Sequence, residues 1–170
     1  MNYKVILFFL SVTLFSCETN TKEVEVNSSG GMAYQGESEG KKFSFGSDDD
    51  AKIAVNLVIA FAKKDTETMI KSMADTVRYL PPQGSKAIVA SLKELPGIVD
   101  LLHQPYDSLN RKVWNAVPLI KEGDDFTKVI VTFLEERFYK DGKKESVGLI
   151  DRMYIRNGKI FNINQWMSER

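Results

Sequence analysis

A single cysteine, a single histidine and no net charge set the first limits on what this 170-residue chain can be. One cysteine, Cys17, excludes an intramolecular disulfide framework and a Cys-rich zinc site. One histidine, His103, removes most histidine-based metal chemistry. Lys+Arg and Asp+Glu both number 23, so no global basic field exists to gather nucleic acid or coat an anionic membrane, and nucleic acid is not an expected partner. The sequence contains no Gly-rich phosphate loop, metal-spaced cluster or nucleophile elbow, and so calls for no metal and no cofactor. What is present, 43% hydrophobic and 27% charged residues, is the composition of one globular domain with extra segments.

The first extra segment is amino-terminal. Lys4 supplies a positive start, and Val5 to Leu14 is an apolar run of about ten residues, against the roughly twenty that a membrane-crossing helix needs. Leu14-Phe15-Ser16-Cys17 closes the run and resembles the bacterial lipoprotein lipobox, with an aliphatic residue three before the cysteine and a small residue just before it. The resemblance implies that residues 1–16 are a lipoprotein signal peptide and that Cys17 is lipidated and becomes the mature amino terminus. The alternative is an ordinary secretory signal with an incidental cysteine. Acyl chains such as palmitate, at about 0.8 kcal/mol per buried methylene, would hold the protein on a membrane surface. The expected location is the bacterial cell envelope; Glu18-Thr19-Asn20 does not specify which membrane or which face. Residues 17–46 are rich in Ser, Gly, Glu, Lys and Asn, and read as a lipidated cysteine with a flexible tether. Tyr34, Phe43 and Phe45 either dock locally or stay exposed.

The domain is expected over residues 47–170. Ser47 precedes Asp48-Asp49-Asp50 and caps a helix whose apolar stripe includes Ile53, Leu57 and Phe61; the acidic triplet suits the helix dipole better than a cation. Asp65 and Thr66 cap a short second helix, and residues 75–80 are extended up to Pro81-Pro82. Ser85 is expected to cap a third helix, Lys86 to about Leu95, broken or kinked by Pro96-Gly97. His103 then lies in a loop-like setting, as a solvated imidazole or a helix C-terminal partner. Residues 108–120 alternate as a strand in which Pro118 suggests an edge or a bulge.

From Asp125 to Met167 the chain reads as a three-stranded antiparallel meander, turned at Asp141-Gly142 and Asn157-Gly158. Two-residue turns would set Leu149 opposite Leu134, Asp151 opposite Thr132 and Asn164, and Ile155 opposite Ile160. On that register one face carries a polar island of Thr132, Asp151 and Asn164. Adjacent Glu135 and Glu136 point to opposite faces and are no paired-carboxylate catalyst.

This order of elements, together with Asp-Thr-Val-Arg-Tyr at 75–79, Gly-Ser-Lys-Ala-Ile-Val at 84–89 and the closing Asn-Gly-Lys-Ile and Gln-Trp, resembles the nuclear transport factor-like superfamily, including its SnoaL-like and ketosteroid isomerase-like members. The resemblance implies an α+β fold, a cone-shaped curved antiparallel sheet packed on about three N-terminal helices, with a pocket at the open end and frequent homodimers through the outer face. It does not carry over an isomerase mechanism. The first helix offers Phe61 where the donor tyrosine would be expected, and neither family aspartate can be matched by motif.

Asp151 is the candidate catalytic carboxylate, since a mid-strand acid on an apolar face has a raised pKa and becomes a usable acid or base. Thr132 and Asn164 would orient it, or all three form a buried structural cluster. Tyr79, Trp114 and Trp166 are candidate pocket walls, or plain core. The leading expectation is a lipid-anchored envelope protein, more binder than enzyme, whose pocket takes a small apolar ligand or a protein partner. The alternatives are a small SnoaL-like enzyme performing proton transfer or hydration and dehydration at Asp151, and a dimeric interaction or assembly module.

Overall fold

From Thr127 to Glu135 every second side chain is buried, and this period of two, long enough for several turns of alternation, is what makes the segment a strand with one face turned to the core. The structure, a computed structural model, describes residues 29–82 and 86–168. The signal peptide, Cys17 and the Ser85 cap lie outside the described residues. In chain order the elements are β1 (Ser29–Met32), a 3₁₀ turn (Gly36–Ser38), β2 (Lys42–Phe45), α1 (Asp48–Ala62), α2 (Thr66–Ser72), β3 (Met73–Leu80), β4 (Ile88–Ser91), α3 (Leu95–His103), β5 (Tyr106–Lys121), β6 (Thr127–Tyr139), β7 (Lys144–Arg156) and β8 (Lys159–Ser168). The strands form one curved sheet in the order β1-β2-β5-β6-β7-β8-β3-β4. The helices cover its concave face, making the α+β cone expected from the order of elements. The sheet is mixed: β3 runs parallel to β8, and the other neighbours are antiparallel.

The first two helices form for the anticipated reasons. Ser47 Oγ accepts from Asp50 N–H at 3.1 Å, and Asp65 accepts from Thr68 N–H at 3.0 Å, each satisfying a first-turn donor that the helix leaves open. Leu57, Val58 and Ala60 of α1 then pack against Val131 and Phe133 of the sheet in one hydrophobic cluster. No helix among the described residues is long and apolar enough to cross a membrane.

Three expectations fail. The third helix is not at Lys86 to Leu95. Ile88 to Ser91 pairs with β3 as an edge strand, the helix begins at Leu95, and Pro96 occupies its first turn, where a missing N–H costs nothing. The tether is not unstructured throughout. Residues 29–45 form a β1–β2 hairpin that joins the sheet beside β5, with Phe43 under the Lys128 ammonium at 4.3 Å, while Tyr34 and Phe45 stay exposed. Backbone pairing supplies what the composition could not.

The third failure is the register. Tyr139 N–H bonds to Lys143 O and Gly142 N–H to Tyr139 O, so the first hairpin has a three-residue loop, with Gly142 at φ 85° completing it. One extra residue slides β7 by one against β6, so Asp151 faces Val131 and Leu149 faces Phe133. The second hairpin starts as expected, with Ile155 opposite Ile160, but Phe161 is an extra residue on β8 and Asp151 therefore faces Gln165. Another bulge on β5 is at Trp114, while Pro118, expected at an edge or a bulge, pairs in regular register with Val129.

Candidate functional site

Between the concave face and the helices lies a cavity of about 90 Å³, walled by Leu57, Val58 and Phe61 of α1, Met69 of α2, and Leu95, Ile98, Val99 and Leu102 of α3. Ile88 and Ala90 of β4 line it from the sheet edge. These walls are apolar because each element turns its hydrophobic face inward. His103 ties two of the walls together. Its side chain is 4% exposed, its Nε2 lies 2.9 Å from Phe61 O, and its ring packs on Phe61 at 4.8 Å between centroids. A carbonyl accepts only, so Nε2 carries the proton. Burial holds the imidazole below its usual pKa despite that bond, so it is a neutral structural pin on the last turn of α1, the helix C-terminal partner of the two expected settings and not the solvated ring.

The cavity floor is polar and comes from the sheet. Asp151 on β7 is 3% exposed, and Gln165 directly opposite on β8 donates from Nε2 to its Oδ1 at 2.8 Å. Tyr79 on β3 donates its hydroxyl to Gln165 Oε1 at 2.9 Å. The amide orientation is fixed by its partners, since a carboxylate can only accept and the phenol then has only Oε1 to serve. Among the described residues Gln165 is the only hydrogen-bond donor to Asp151, which leaves Asp151 Oδ2 facing the cavity without one. Burial pushes the Asp151 carboxyl up to about 6, with Arg111 and the Gln165 bond pulling the other way. Burial, then the Asp151 charge, raises the Tyr79 phenol well above its ordinary value.

Arg111 of β5 completes the floor. It pairs with Glu135, its cross-strand neighbour on β6, through Nε at 2.7 Å and Nη2 at 2.6 Å, and its Nη1 reaches Val58 O at 3.4 Å. The guanidinium carbon lies over the ring of Phe61 at 4.3 Å and that of Phe133 at 4.9 Å. Glu135 also accepts from Arg137 at 2.7 Å, and Arg137 from its other side holds Glu145 at 3.2 Å, so the chain of charges runs outward to the surface. Burial alone would raise the Glu135 carboxyl, but the two guanidinium groups hold it below the usual range.

Of the sequence-derived candidates, the structure places Asp151 and Tyr79 in the cavity and excludes the other four. Thr132 faces Ile150 and Asn164 faces Arg152, both on the outer face, because a one-residue slip turns every side chain over. Arg78 reaches Asn164 there at 3.4 Å. Trp114 is pushed outward by its bulge and is 53% exposed; Trp166 lies against Arg152 on the outer face at 4.8 Å and is 43% exposed. The residues missed are Gln165, Arg111 and Glu135. Glu135 had a signal, since it follows Val129, Val131 and Phe133 on one face and is as anomalous there as Asp151 among its own neighbours.

No family model matches the sequence, and no curated protein matches it. Solved structures do. An LEH-like epoxide hydrolase from M. tuberculosis superposes with a TM-score of 0.56 at 10% identity, covering 72% of this chain and 84% of its own. A nuclear transport factor-like protein from Burkholderia pseudomallei gives 0.57 at 11% identity, covering 69% and 88%. The fold is nuclear transport factor-like. A third such neighbour, with a ketosteroid isomerase-like fold, comes from Catenulispora acidiphila in complex with trimethylamine, at a TM-score of 0.55 and 11% identity over 67% and 83% of the two chains. At these identities the likeness concerns the nuclear transport factor-like fold and not the chemistry performed on it.

Proposed function

We propose that the nuclear transport factor-like domain binds a small, largely apolar molecule in the cavity of its cone, with Asp151, Gln165 and Tyr79 holding the one polar group of that molecule. The observation that carries this reading is the combination of an apolar pocket with a carboxylate at its floor, Asp151, whose second oxygen has no donor among the described residues. Small-molecule binding by the Catenulispora neighbour agrees with it. Native mass spectrometry of the full chain purified from its own host tests the reading. A bound small molecule is expected on the wild type and not on Ala90→Phe, which fills the cavity from the half-buried edge strand β4. The same mass on both proteins would place the ligand elsewhere.

One observation favours catalysis at the same place. A carboxyl pushed up to about 6, with one oxygen open to the cavity, is matched to proton transfer near neutral pH. The mycobacterial neighbour, an LEH-like epoxide hydrolase, suggests hydration as the reaction to try first. Hydration of a one-ring epoxide to its diol, lost in Asp151→Asn while the diol still binds, would support this second reading; absence of turnover in the wild type would remove it.

We further propose that Cys17 carries a lipid anchor and that the domain works at a membrane of the bacterial envelope. The support is the Leu14-Phe15-Ser16-Cys17 motif. Cys17→Ala should release the protein from the membrane fraction, and unchanged partitioning would count against lipidation. A homodimer through the outer sheet face belongs to the same proposal, supported by the cross-strand neighbours Ile150 and Trp166, large apolar side chains left exposed there.

A further inference from the structure

The polar floor of the cavity has a direction, and the direction selects the ligand. Each hydrogen bond in the row consumes a donor: Tyr79 gives its one hydroxyl proton to Gln165 Oε1, and Gln165 gives an amide proton to Asp151 Oδ1. What the row leaves open is two acceptors, the second carboxylate oxygen of Asp151 and a lone pair on the Tyr79 oxygen, against one donor, the second Nε2–H of Gln165. Arg111, the strongest donor within reach, spends three of its five N–H groups on Glu135 and Val58 O, with its guanidinium carbon 4.3 Å from the Phe61 ring and 4.9 Å from that of Phe133. A ligand that brings a ketone, ester or carboxylate against Asp151 sets acceptor against acceptor and leaves Oδ2 unpaired. A ligand that brings an N–H or O–H satisfies it.

We propose that the site selects small apolar molecules whose polar group is a hydrogen-bond donor, an amine or an alcohol, over isosteric carbonyl compounds and acids. This inference rests on the reading of the cavity as a ligand site and adds the chemical class to it. A buried acceptor discriminates strongly between a partner and an isostere that lacks the proton, because the wrong ligand leaves the protein group desolvated and unpaired.

The test is a matched set of one-ring probes, cyclohexylamine, cyclohexanol, cyclohexanone, cyclohexanecarboxylate and methylcyclohexane, titrated against the full chain at pH 7.5 by calorimetry and by ligand-observed NMR. The amine and the alcohol should bind at least tenfold more tightly than the ketone, the acid and the hydrocarbon. In Asp151→Asn the amide can keep its oxygen on Gln165 and turn its N–H into the cavity, so the order of alcohol and ketone should invert. Ketone or acid binding as tight as that of the donors in the wild type would overturn the inference while leaving the cavity a ligand site; the acid alone winning would assign the polar end to Arg111. No binding of any probe, hydrocarbon included, would instead overturn the ligand-site reading, and the inference with it. The wild-type series stands without the variant, so poor folding of Asp151→Asn does not protect the proposal.

Discussion

Gln165 stands directly opposite Asp151 on the neighbouring strand and donates from Nε2 to Asp151 Oδ1 over 2.8 Å. The contact exists because Phe161 is an extra residue on β8: without that bulge Asn164 would occupy the position and Gln165 would point to the outer face. One amide therefore both orients the carboxylate and, through Tyr79, fixes which of its own ends faces it. A single hydrogen bond does not offset the desolvation of a buried carboxylate, and the carboxyl is accordingly pushed up to about 6.

The first prediction follows from that shift. An acid whose folded pKa lies above its unfolded value, ordinarily 3.8 here, binds its proton more tightly in the folded state, so the carboxyl costs stability as pH rises from about 4 to about 6 and the cost is constant above that. The full cost is on the order of 3 kcal/mol. Asp151→Asn keeps an acceptor for Gln165 and removes the titration. The variant should be more stable than the wild type by about 2–3 kcal/mol at pH 7.5, with the advantage vanishing near pH 4, as read from urea unfolding at both values. A variant that is less stable at pH 7.5 would show that the carboxylate is held by more than Gln165.

The second prediction concerns Arg111 and Glu135, whose side chains are only 7% and 4% exposed. Removing one partner strands a charge in the interior, at a cost of about 3–5 kcal/mol. Glu135→Leu should therefore destabilise by that order in denaturant unfolding, even though Arg137 is left with Glu145. The double variant Arg111→Met with Glu135→Leu removes the pair together and should recover most of the loss, because a buried ion pair is often no better than apolar groups of similar volume. A double variant as unstable as the single one would show that the contacts of the guanidinium with Phe61 and Phe133, more than the pairing, hold this corner of the core.

Much of the domain was legible from side-chain chemistry, and the candidate site was legible only in part. Caps and hydrophobic period are local properties, so Ser47, Asp65 and the long strands could be placed from the residues alone. Asp151 and Tyr79 were recognisable because a carboxylate and a phenol among apolar strand residues are anomalous wherever the partner strand lies. The neighbours of Asp151 were not, since they depend on whether a loop holds two residues or three and on a bulge at Phe161, and neither is encoded by a residue type that admits only one choice. Asp-Gly serves the three-residue loop as well as the two-residue one. The β4 strand was missed for a related reason: Ile88-Val89-Ala90 suits either state, and only pairing with β3 decides.

The third prediction tests the N-terminal hairpin. Gly46 joins β2 to α1, and a Cβ there would lie 2.8 Å from Thr127 Cγ2 and 3.2 Å from Pro118 Cβ. The Thr127 methyl cannot swing away, since its Oγ1 donates to Asp50 Oδ2 at 2.7 Å and the side chain is buried. Gly46→Ala should cost about 1–3 kcal/mol, expressed mainly as loosening of residues 29–45 from β5. Limited proteolysis should cut that hairpin faster in the variant while the rest of the domain survives. Equal rates would mean that the β2 pairing with Phe43, Ser44 and Phe45 is maintained by a shift of the helix start instead.

The last prediction joins the acid to the ligand. The charged and titratable groups around Asp151 are Arg111 from β5, Glu135 from β6 and Tyr79 from β3, while β8 contributes Gln165 and the helices line the cavity with Leu57, Val58, Leu95 and Val99 and no ionisable group. The Tyr79 phenol is raised above its ordinary value and Glu135 is held below the usual carboxylate range, so between pH 5 and 7.5 the carboxyl on this floor that changes is Asp151. Taking up a proton turns Oδ2 from an acceptor into a donor. Cyclohexanol should bind more weakly at pH 5 than at pH 7.5 and cyclohexanone more tightly, the two affinities crossing near pH 6, and neither trend should survive in Asp151→Asn. Parallel pH profiles for the two probes would mean that the open oxygen of Asp151 does not contact the ligand, whatever else the cavity holds.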